Sequence, residues 1–436
     1  MTRLHPVDAR MLWSAPQMRS DQFLLFAFDG NASPIDEVCA ALLHRASAIS
    51  SLTTVISEVP GHLDYPSWVH APATADQIRV HRLEDPTWTG MLARLADLLA
   101  AQLDPGTAAW RLHLFDAVAG PDDPGGSAGL RVAVLQISHA RHDGRGASAV
   151  ARRLFGAPSA PEADGGRVGA VPTGVVLTGA VPSGAVRAAA GVLRLPVQVG
   201  RLVVDGAAAY RLSRSAGHPG PGPVAPAPIN GRPGPRRALR TLTVARDRLG
   251  GRVTPAAVAV IGDALAAGGL VDGDPVVELT LARATRRGPA NDFHMVGIAS
   301  RTDLSGESRL AAITAAIDAA RERDRAPARV AARRAEAATP APLMHWAATS
   351  VDPGDGPPPA VTGHTVVSSV NRGAADLTLA GGRVRLTAGF PALSPVHRLT
   401  HGVHGIGATV TFSVQADPEA LDIDAHVGAL RAALDR

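Results

Sequence analysis

The residues best suited to chemistry lie in one short segment, Ser138 to Gly144 (SHARHDG), directly after an apolar run. Within it, His139 is followed four residues later by Asp143 and then by Gly144. A neutral imidazole is the usual general base near pH 7, and a tight turn between a strand and a helix holds such a ring in one orientation. The pattern predicts a general base at His139, with Asp143 turned back to brace the loop. The alternative is that His139 only ends a strand and that Asp143 and Gly144 form an ordinary turn.

Other residues of reactive type receive simpler interpretations. His142, in the same loop, is expected to point away from the cleft. His397, His401 and His404 have the spacing H-x-x-x-H-x-x-H, but the neighbouring glycines argue against a rigid helix, and no acidic or cysteine ligand lies at a suitable spacing. We therefore predict no zinc site there, and lining an acceptor channel is the functional alternative to a packing role. Cys39, on an apolar helix face, is expected to be a packed thiol.

The flanking sequence predicts the elements that position the loop. The run 130–137 (LRVAVLQI) predicts a buried strand before it, and residues 146–155 predict a short helix after it. Similar patterns alternate along the chain, with strands predicted at 22–28, 112–117, 238–244, 276–282, 293–299, 364–370, 383–388 and 408–414, and helices at 34–48, 91–102, 255–267, 305–325 and 423–434. The sequence therefore predicts an α/β protein.

A stretch dense in Gly, Pro and Ala, from 157 to 234, separates two halves of similar content. Such a composition favours a linker or crossover, here with a helix near residues 185–195. We predict an N-terminal domain at 1–160 that carries the His139 motif, a crossover at 161–234 and a C-terminal domain at 235–436. Two domains of related architecture also suit a length of 436 residues.

Composition excludes several classes of protein. Hydrophobic residues make up 46% of the chain and charged residues 19%, so a packed core is expected and disorder of the whole chain is excluded. All 43 basic residues are arginine, and the pI of about 10.3 reflects the scarcity of groups that titrate above neutrality. A net charge of +4 with 3% aromatic residues predicts no nucleic-acid binding.

The sequence also bears on location. No apolar run approaches the 18 residues of a spanning helix, and no apolar stretch follows a basic N-terminus. The single cysteine excludes an internal disulfide, which suits a reducing compartment. We expect a cytoplasmic protein without a transmembrane segment, with peripheral membrane contact left open.

Several segments resemble, in the same order, those of the wax ester synthase/diacylglycerol acyltransferase family, a branch of the condensation-type, chloramphenicol-acetyltransferase-like acyltransferases. The opening Leu4 to Trp13 (LHPVDARMLW) resembles the family's start, and Trp110 to Phe115 (WRLHLF) resembles its W-x-x-x-L segment. The loop at 138–144 is similar to the family's H-H-x-x-x-D-G, with His139 on the second, catalytic histidine. Residues 228–231 (PING) and 234–237 (GPRR) are similar to P-L-N-G…G-x-x-R. The resemblance covers nearly the whole chain.

The chain departs from the family pattern at three places. Ser138 replaces the first histidine of the pair. The N-D pair at the start of a second-domain helix is missing, and Thr254 and Pro255 occupy that neighbourhood. The S-N-V-P-G-P segment is altered to Ser368 to Gly373 (SSVNRG). These differences put storage-lipid synthesis in doubt, while the His-Asp-Gly arrangement is complete.

The resemblance implies two α/β sandwich domains with an active-site tunnel at their interface. It implies that His139 is the general base, that Asp143 braces the loop through an arginine and that Gly144 permits the turn. Candidate substrate-binding residues on the same basis are Ser138, His142, Asn371, His401 and His404.

The implied reaction is O-acyl transfer from a thioester, either acyl-CoA or an acyl carrier protein, to a small-molecule hydroxyl, with no cofactor or metal. Two rivals stay open. One is acyl transfer to a scaffold in natural-product biosynthesis, which the missing N-D pair favours over bulk lipid synthesis. The other is a non-catalytic relative that binds a ligand or partner in the former tunnel.

Overall fold

The computed structural model describes residues 1–121, 129–157, 183–215, 222–283, 288–350 and 358–436. The helices in these ranges are α1 (Pro6–Met18), α2 (Ile35–Ser47), α3 (Trp88–Leu98), α4 (Gly144–Phe155), α5 (Gly184–Ser215), α6 (Val253–Ala267), α7 (Gly306–Arg325), α8 (Pro327–Ala338), α9 (Ala341–Thr349) and α10 (Ile423–Leu434).

The strands in the first half are β1 (Thr2–Arg3), β2 (Gln22–Asp29), β3 (Thr54–Ser57), β4 (Ser67–His70), β5 (Ile78–His81), β6 (Trp110–Val118) and β7 (Leu130–Ile137). Those in the second half are β8 (Ala238–Ala245), β9 (Val276–Ala282), β10 (Phe293–Ala299), β11 (Thr365–Asn371), β12 (Thr378–Leu379), β13 (Gly382–Gly389), β14 (Leu399–Ile406) and β15 (Thr409–Ala416).

Two six-stranded sheets organise the chain. The first has the order β12-β13-β2-β7-β6-β5 and the second the order β10-β9-β11-β14-β15-β8, while β1, β4 and β3 form a small third sheet. Helices cover both large sheets, so the predicted α/β class is confirmed, with a sandwich-like domain around each large sheet.

The strand before the candidate base is central in the first sheet because it is apolar on both faces. In its neighbour β2, Leu24, Phe26 and Phe28 pack into one hydrophobic cluster, whereas Phe23 and Leu25 pack into the cluster on the opposite face. β7 pairs antiparallel with β2 on one side and with β6 on the other. Alternate residues of a strand point to opposite faces, so a continuous apolar run is what a doubly covered strand requires.

Two features of the structure cross the domain boundaries that the composition predicts. The region predicted as a crossover contains the 32-residue helix α5 within its described part. In addition, β13 lies in the second half of the sequence but pairs antiparallel with β2 in the first sheet. The second half therefore completes the sheet of the first, and this exchange brings the two halves together beside the end of β7.

Candidate active site

His139 lies in the short loop between β7 and α4. The loop begins where the Ser138 amide donates to the Ala109 carbonyl at 2.9 Å, and the Arg141 amide closes a turn on the Ser138 carbonyl at 2.9 Å. At its end, the Asp143 side chain accepts the Gly146 amide at 2.8 Å and so caps α4. Both ends of the loop are thus fixed by hydrogen bonds, one to the sheet side and one to the helix.

A residue of the second half holds the ring of His139. The Nδ1 atom of His139 lies 2.6 Å from Oδ1 of Asn291, and the amide Nδ2 of Asn291 donates to the His139 carbonyl at 2.6 Å. Asn291 precedes β10, so the imidazole lies where the two halves of the chain meet. Phe293 contributes a second contact, with its ring centroid 5.9 Å from that of His139.

Asn291 is itself held by Asp8, on the first turn of α1. Oδ1 of Asp8 accepts from both the backbone amide and the Nδ2 of Asn291 at 2.9 Å, and Oδ2 accepts the Ala290 amide at 2.9 Å. Both side chains are buried. Burial raises the pKa of the Asp8 carboxyl, whereas these three hydrogen bonds act in the opposite direction.

This network assigns the tautomer of His139. The Nδ2 of Asn291 is a donor to two oxygens, so its Oδ1 is free to accept and Nδ1 of His139 carries the hydrogen. The lone pair of the neutral ring is then on Nε2, for which the described residues provide no hydrogen-bond partner. Burial lowers the pKa of the His139 imidazole, so the ring is neutral at pH 7. A neutral, oriented Nε2 is the arrangement that a general base requires.

The position of Asp143 corrects the expectation that it acts through an arginine. Among the described residues its carboxylate forms no ion pair, and the hydrogen bond to Gly146 makes it the N-cap of α4. A carboxylate at a helix N-terminus is favoured by the unpaired amides and by the helix dipole. Asp143 also favours the charged form of His139 through space, and thereby opposes the lowering of its pKa. Asp143 therefore stabilises the loop as the N-cap of α4.

This geometry predicts different results for two substitutions of Asp143. Asp143→Ala removes the cap and should lower the free energy of unfolding by about 1 kcal/mol, within the usual range for N-caps. Asp143→Asn keeps an oxygen that accepts the Gly146 amide and should unfold at close to the wild-type temperature. Thermal unfolding of both variants checks this, and equal destabilisation by the two substitutions would contradict the capping role.

Gly144 does not act as the turn residue that the sequence suggests. It is the first residue of α4, and a Cβ built there would lie 3.4 Å from Cγ2 of Val370, at the end of β11. The more restrictive glycine is Gly146, where a Cβ would come within 2.7 Å of Nδ1 of His142. A Cβ at 144 would make only an ordinary van der Waals contact with β11, whereas the small residue at 146 makes room for the neighbouring imidazole.

The other two loop residues have structural surroundings. Ser138 is buried and belongs to the turn described above. The carbonyl of His142 accepts a hydrogen bond from Gln22, while its own Nε2 is buried without a partner among the described residues. Burial lowers the pKa of His142 to about 3, so it stays neutral. Its ring lies against Gly146.

Asn371 lines a cavity of about 530 Å³ beside this loop. The cavity is lined by the start of α6, by α7 and by the end of β11. Three arginines line it, Arg246, Arg252 and Arg321, and Asp318 pairs with the last two at 3.9 and 2.8 Å. Its lining therefore carries an excess of positive charge, and Val370 separates it from Gly144.

Two altered family segments meet at this cavity. Thr254, at the start of α6, lies 2.9 Å from the hydroxyl of Ser369 on β11. The segment at Thr254, which lacks the N-D pair, therefore contacts the altered S-N segment at Ser369. Both segments line the cavity. Two of the three differences from the resembled pattern therefore lie at one site.

His401 and His404 lie on β14. His401 is fully buried; its Nδ1 donates to Thr365 at 2.9 Å, since that hydroxyl already donates to the Leu399 carbonyl, and its Nε2 lies 2.8 Å from Nε2 of His426. His404 is buried, and its pKa is lowered by burial and then by the charge of Arg372. The glycines beside these histidines belong to a buried central strand. Both ring nitrogens of His401 face protein groups, and its contact with substrate stays a prediction.

Two residues of the His139 network, Asn291 and Asp8, are not predicted by the sequence patterns. Each is separated from His139 by about a third of the chain, and only folding brings them together. Asp8 was part of the family-like opening segment, but nothing in the spacing of residues along the chain connects it with position 291. Among the described residues, no group of three His, Cys, Asp or Glu side chains is arranged to hold a metal ion.

Comparison with solved structures finds proteins that share the whole fold. Wax ester synthase/diacylglycerol acyltransferase from Marinobacter aquaeolei VT8 matches over 100% of this chain and 98% of that one, with a TM-score of 0.61 and 16% identity. A variant starter condensation domain of rhizomide synthetase RzmA, in complex with C8-CoA and Leu-SNAC, matches over 100% and 93%, with a TM-score of 0.57 and 14% identity. The condensation domain of the monacolin K polyketide synthase MokA matches over 100% and 96%, with a TM-score of 0.56 and 13% identity.

No protein-family model matches the sequence, and no match was found among curated proteins. In the part of the chain that the structure describes, no helix is both long and apolar enough to cross a membrane. At 13–16% identity the structural likeness establishes the fold. The chain has the two-domain α/β fold of the condensation-type, chloramphenicol-acetyltransferase-like proteins.

Proposed function

We propose that this protein is an acyltransferase that moves an acyl group from a thioester to an acceptor hydroxyl, with His139 as the general base. The observation that carries the proposal is the Asp8–Asn291–His139 network. It fixes the hydrogen on Nδ1 and leaves the Nε2 lone pair without a partner among the described residues. The whole-chain likeness to an acyltransferase and to condensation domains supports the same reaction class.

The proposed step needs one base and two bound substrates. Nε2 of His139 takes the proton of the acceptor hydroxyl as its oxygen attacks the thioester carbonyl. The C–S bond then breaks, and the imidazolium returns the proton to the departing sulfur, which leaves an ester and a free thiol. No acyl-enzyme forms, because holding both substrates at the base supplies proximity and proton transfer together.

We place the polar end of the donor in the cavity beside the loop. Its three arginines and single aspartate suit a phosphate group, and both CoA and the arm of a carrier protein carry phosphate. Val370 joins this cavity to the first residue of α4, five residues beyond His139. The RzmA domain was solved with C8-CoA, which supports a thioester donor of this kind.

The altered lining of this cavity favours an acceptor other than a storage lipid. Thr254 and Ser369 stand where the resembled family has its N-D and S-N segments, and they bond to each other across the cavity. We therefore favour a small hydroxylated scaffold of natural-product biosynthesis as the acceptor. The second candidate, a non-catalytic binding protein, is disfavoured because a buried network that fixes the tautomer of His139 has no use in simple binding.

A substrate panel tests this function. Thiol release is measured with acyl-CoAs of several chain lengths against alcohols and amines, and products are identified by mass spectrometry. The proposal expects release that depends on an alcohol, together with a higher KM for acyl-N-acetylcysteamine, which lacks the phosphate. Release with amines alone would assign amide formation instead. No release with any pair would favour the binding protein.

A further inference from the structure

The outward face of α5 is unusually apolar for an exposed helix. Nine of its large hydrophobic side chains are exposed, out of fifteen such side chains in the described residues, although the helix contains only 32 residues. Leu193 is 80% exposed, and Val204 and Tyr210 are 65% and 63% exposed. A concentration of this kind on one element marks a surface that binds something, since single exposed apolar residues are otherwise scattered.

These side chains form two rows along the helix. At 3.6 residues per turn, Val186, Leu193, Val197 and Val204 lie in one row, and the other exposed valines and Tyr210 lie in a second row about 120° around the helix. Half-buried Leu195 and Leu202 lie on the opposite side, and α5 packs along α8. The exposed face runs from Val186 to Leu212 and is a convex ridge about 40 Å long at 1.5 Å per residue.

The charge around this ridge is strongly positive. Helix α5 carries five arginines and one carboxylate, on a chain whose total charge is only +4. Arg187 and Arg194 bind protein groups, the latter through an ion pair with Asp64. Arg201 and Arg214 are exposed on α5. An apolar ridge with arginines along it is typical of helices that lie in a membrane interface.

We propose that the outward face of α5 docks on an anionic lipid surface, with the helix axis in the plane of the membrane. The valines and Leu193 would enter the boundary between headgroups and acyl chains, and the arginines would contact acidic headgroups. A convex ridge suits a deformable lipid surface better than a second protein, which would need a matching groove. The proposal stands apart from the acyl-transfer chemistry, because α5 contributes no residue to the His139 site.

Vesicle co-sedimentation of the full chain tests the proposal. The protein should bind vesicles of phosphatidylcholine with phosphatidylglycerol more tightly than vesicles of phosphatidylcholine alone, and binding should fall as salt rises. Leu193→Ser with Val204→Ser should weaken binding to both kinds of vesicle by at least about tenfold. Arg201→Gln and Arg214→Gln should each weaken binding to the acidic vesicles about fivefold.

The matched control is Val80→Ser with Met295→Ser, which removes two exposed apolar side chains on other elements. These substitutions should leave vesicle binding unchanged, and circular dichroism confirms that each variant is folded. The proposal is overturned if the wild-type protein ignores acidic vesicles. It is also overturned if ultracentrifugation shows a dimer that Leu193→Ser with Val204→Ser converts to a monomer, since a second copy would then cover the ridge.

Discussion

Replacement of His139 by alanine is expected to lower turnover by about 10²- to 10⁴-fold, the usual contribution of a general base. The reason is that Nε2 is the proton acceptor of the proposed step, and the other titratable group of the network, Asp8, is occupied by hydrogen bonds from Asn291 and Ala290. Binding of the thioester donor should be retained, because the arginine-lined cavity lies beyond Val370 and does not include the imidazole. Thiol release at saturating donor, together with the KM for the donor, measures both quantities.

His142→Ala is the control from the same loop. Its ring lies against Gly146 and its carbonyl, which accepts from Gln22, is kept in the variant. Turnover should therefore change little. Comparable losses for the two substitutions would mean that the loop as a whole had been damaged, and full activity of His139→Ala would exclude the mechanism.

The same base predicts the pH dependence of turnover. Burial lowers the pKa of His139 from its ordinary value of 6.5, so the neutral ring persists below that pH. The rate should be level at neutral pH and should fall as the pH drops through this lowered pKa, because protonated Nε2 accepts nothing. If the rate already falls above pH 6.5 as the solution is acidified, a group other than His139 acts as the general base.

Substitution of Asn291 by leucine is expected to lower kcat by roughly 10- to 10³-fold without changing the KM for the donor. Leucine removes the acceptor of the Nδ1 hydrogen, so the imidazole is free to carry its hydrogen on Nε2, where it is no longer a base. The readout that distinguishes positioning from general damage is the nitrogen NMR spectrum of His139. It should show the Nδ1–H tautomer in the wild type and a mixture in the variant.

An exchange of the two buried partners provides the matched control for Asn291. Asn291→Asp alone would place two carboxylates in contact where the Nδ2 to Oδ1 distance is now 2.9 Å, and should be destabilised. Asp8→Asn with Asn291→Asp restores one amide and one carboxylate between the two side chains, so it should be more stable than Asn291→Asp alone. Its activity should stay low, because an oxygen without a hydrogen then faces the His139 carbonyl in place of Nδ2. Because a carboxylate would then face the imidazole, the pH profile should move upward. Wild-type turnover and an unchanged tautomer in Asn291→Leu would exclude the positioning role.

The local elements of this site follow from the sequence because short-range chemistry determines them. The doubly apolar run of β7, the aspartate that precedes α4 and the loop between them are all visible in residues 130–155. β14 was missed for a physical reason. It is fully buried, and its glycines and histidines are paired within the sheet, so it shows neither alternation nor an aliphatic run.

The partners of His139 could not be predicted, since they depend on contacts between distant segments. Asp8 lies on α1 and Asn291 precedes β10, and only the packing of the two halves places them together. The resemblance implied that Asp143 acts through an arginine, although its spacing to Gly146 is that of an ordinary helix cap. The crossing of β13 into the first sheet is likewise set by long-range pairing.

Direct acyl transfer at Nε2 of His139 is tested most directly by one measurement. Free thiol and acylated acceptor are quantified in the same reaction while the intact mass of the protein is followed during turnover. The mechanism predicts one acylated acceptor for each thiol, no acyl adduct on the protein, and loss of both products in His139→Ala. An acyl adduct that forms and decays at the turnover rate, or equal product formation by His139→Ala, would contradict it.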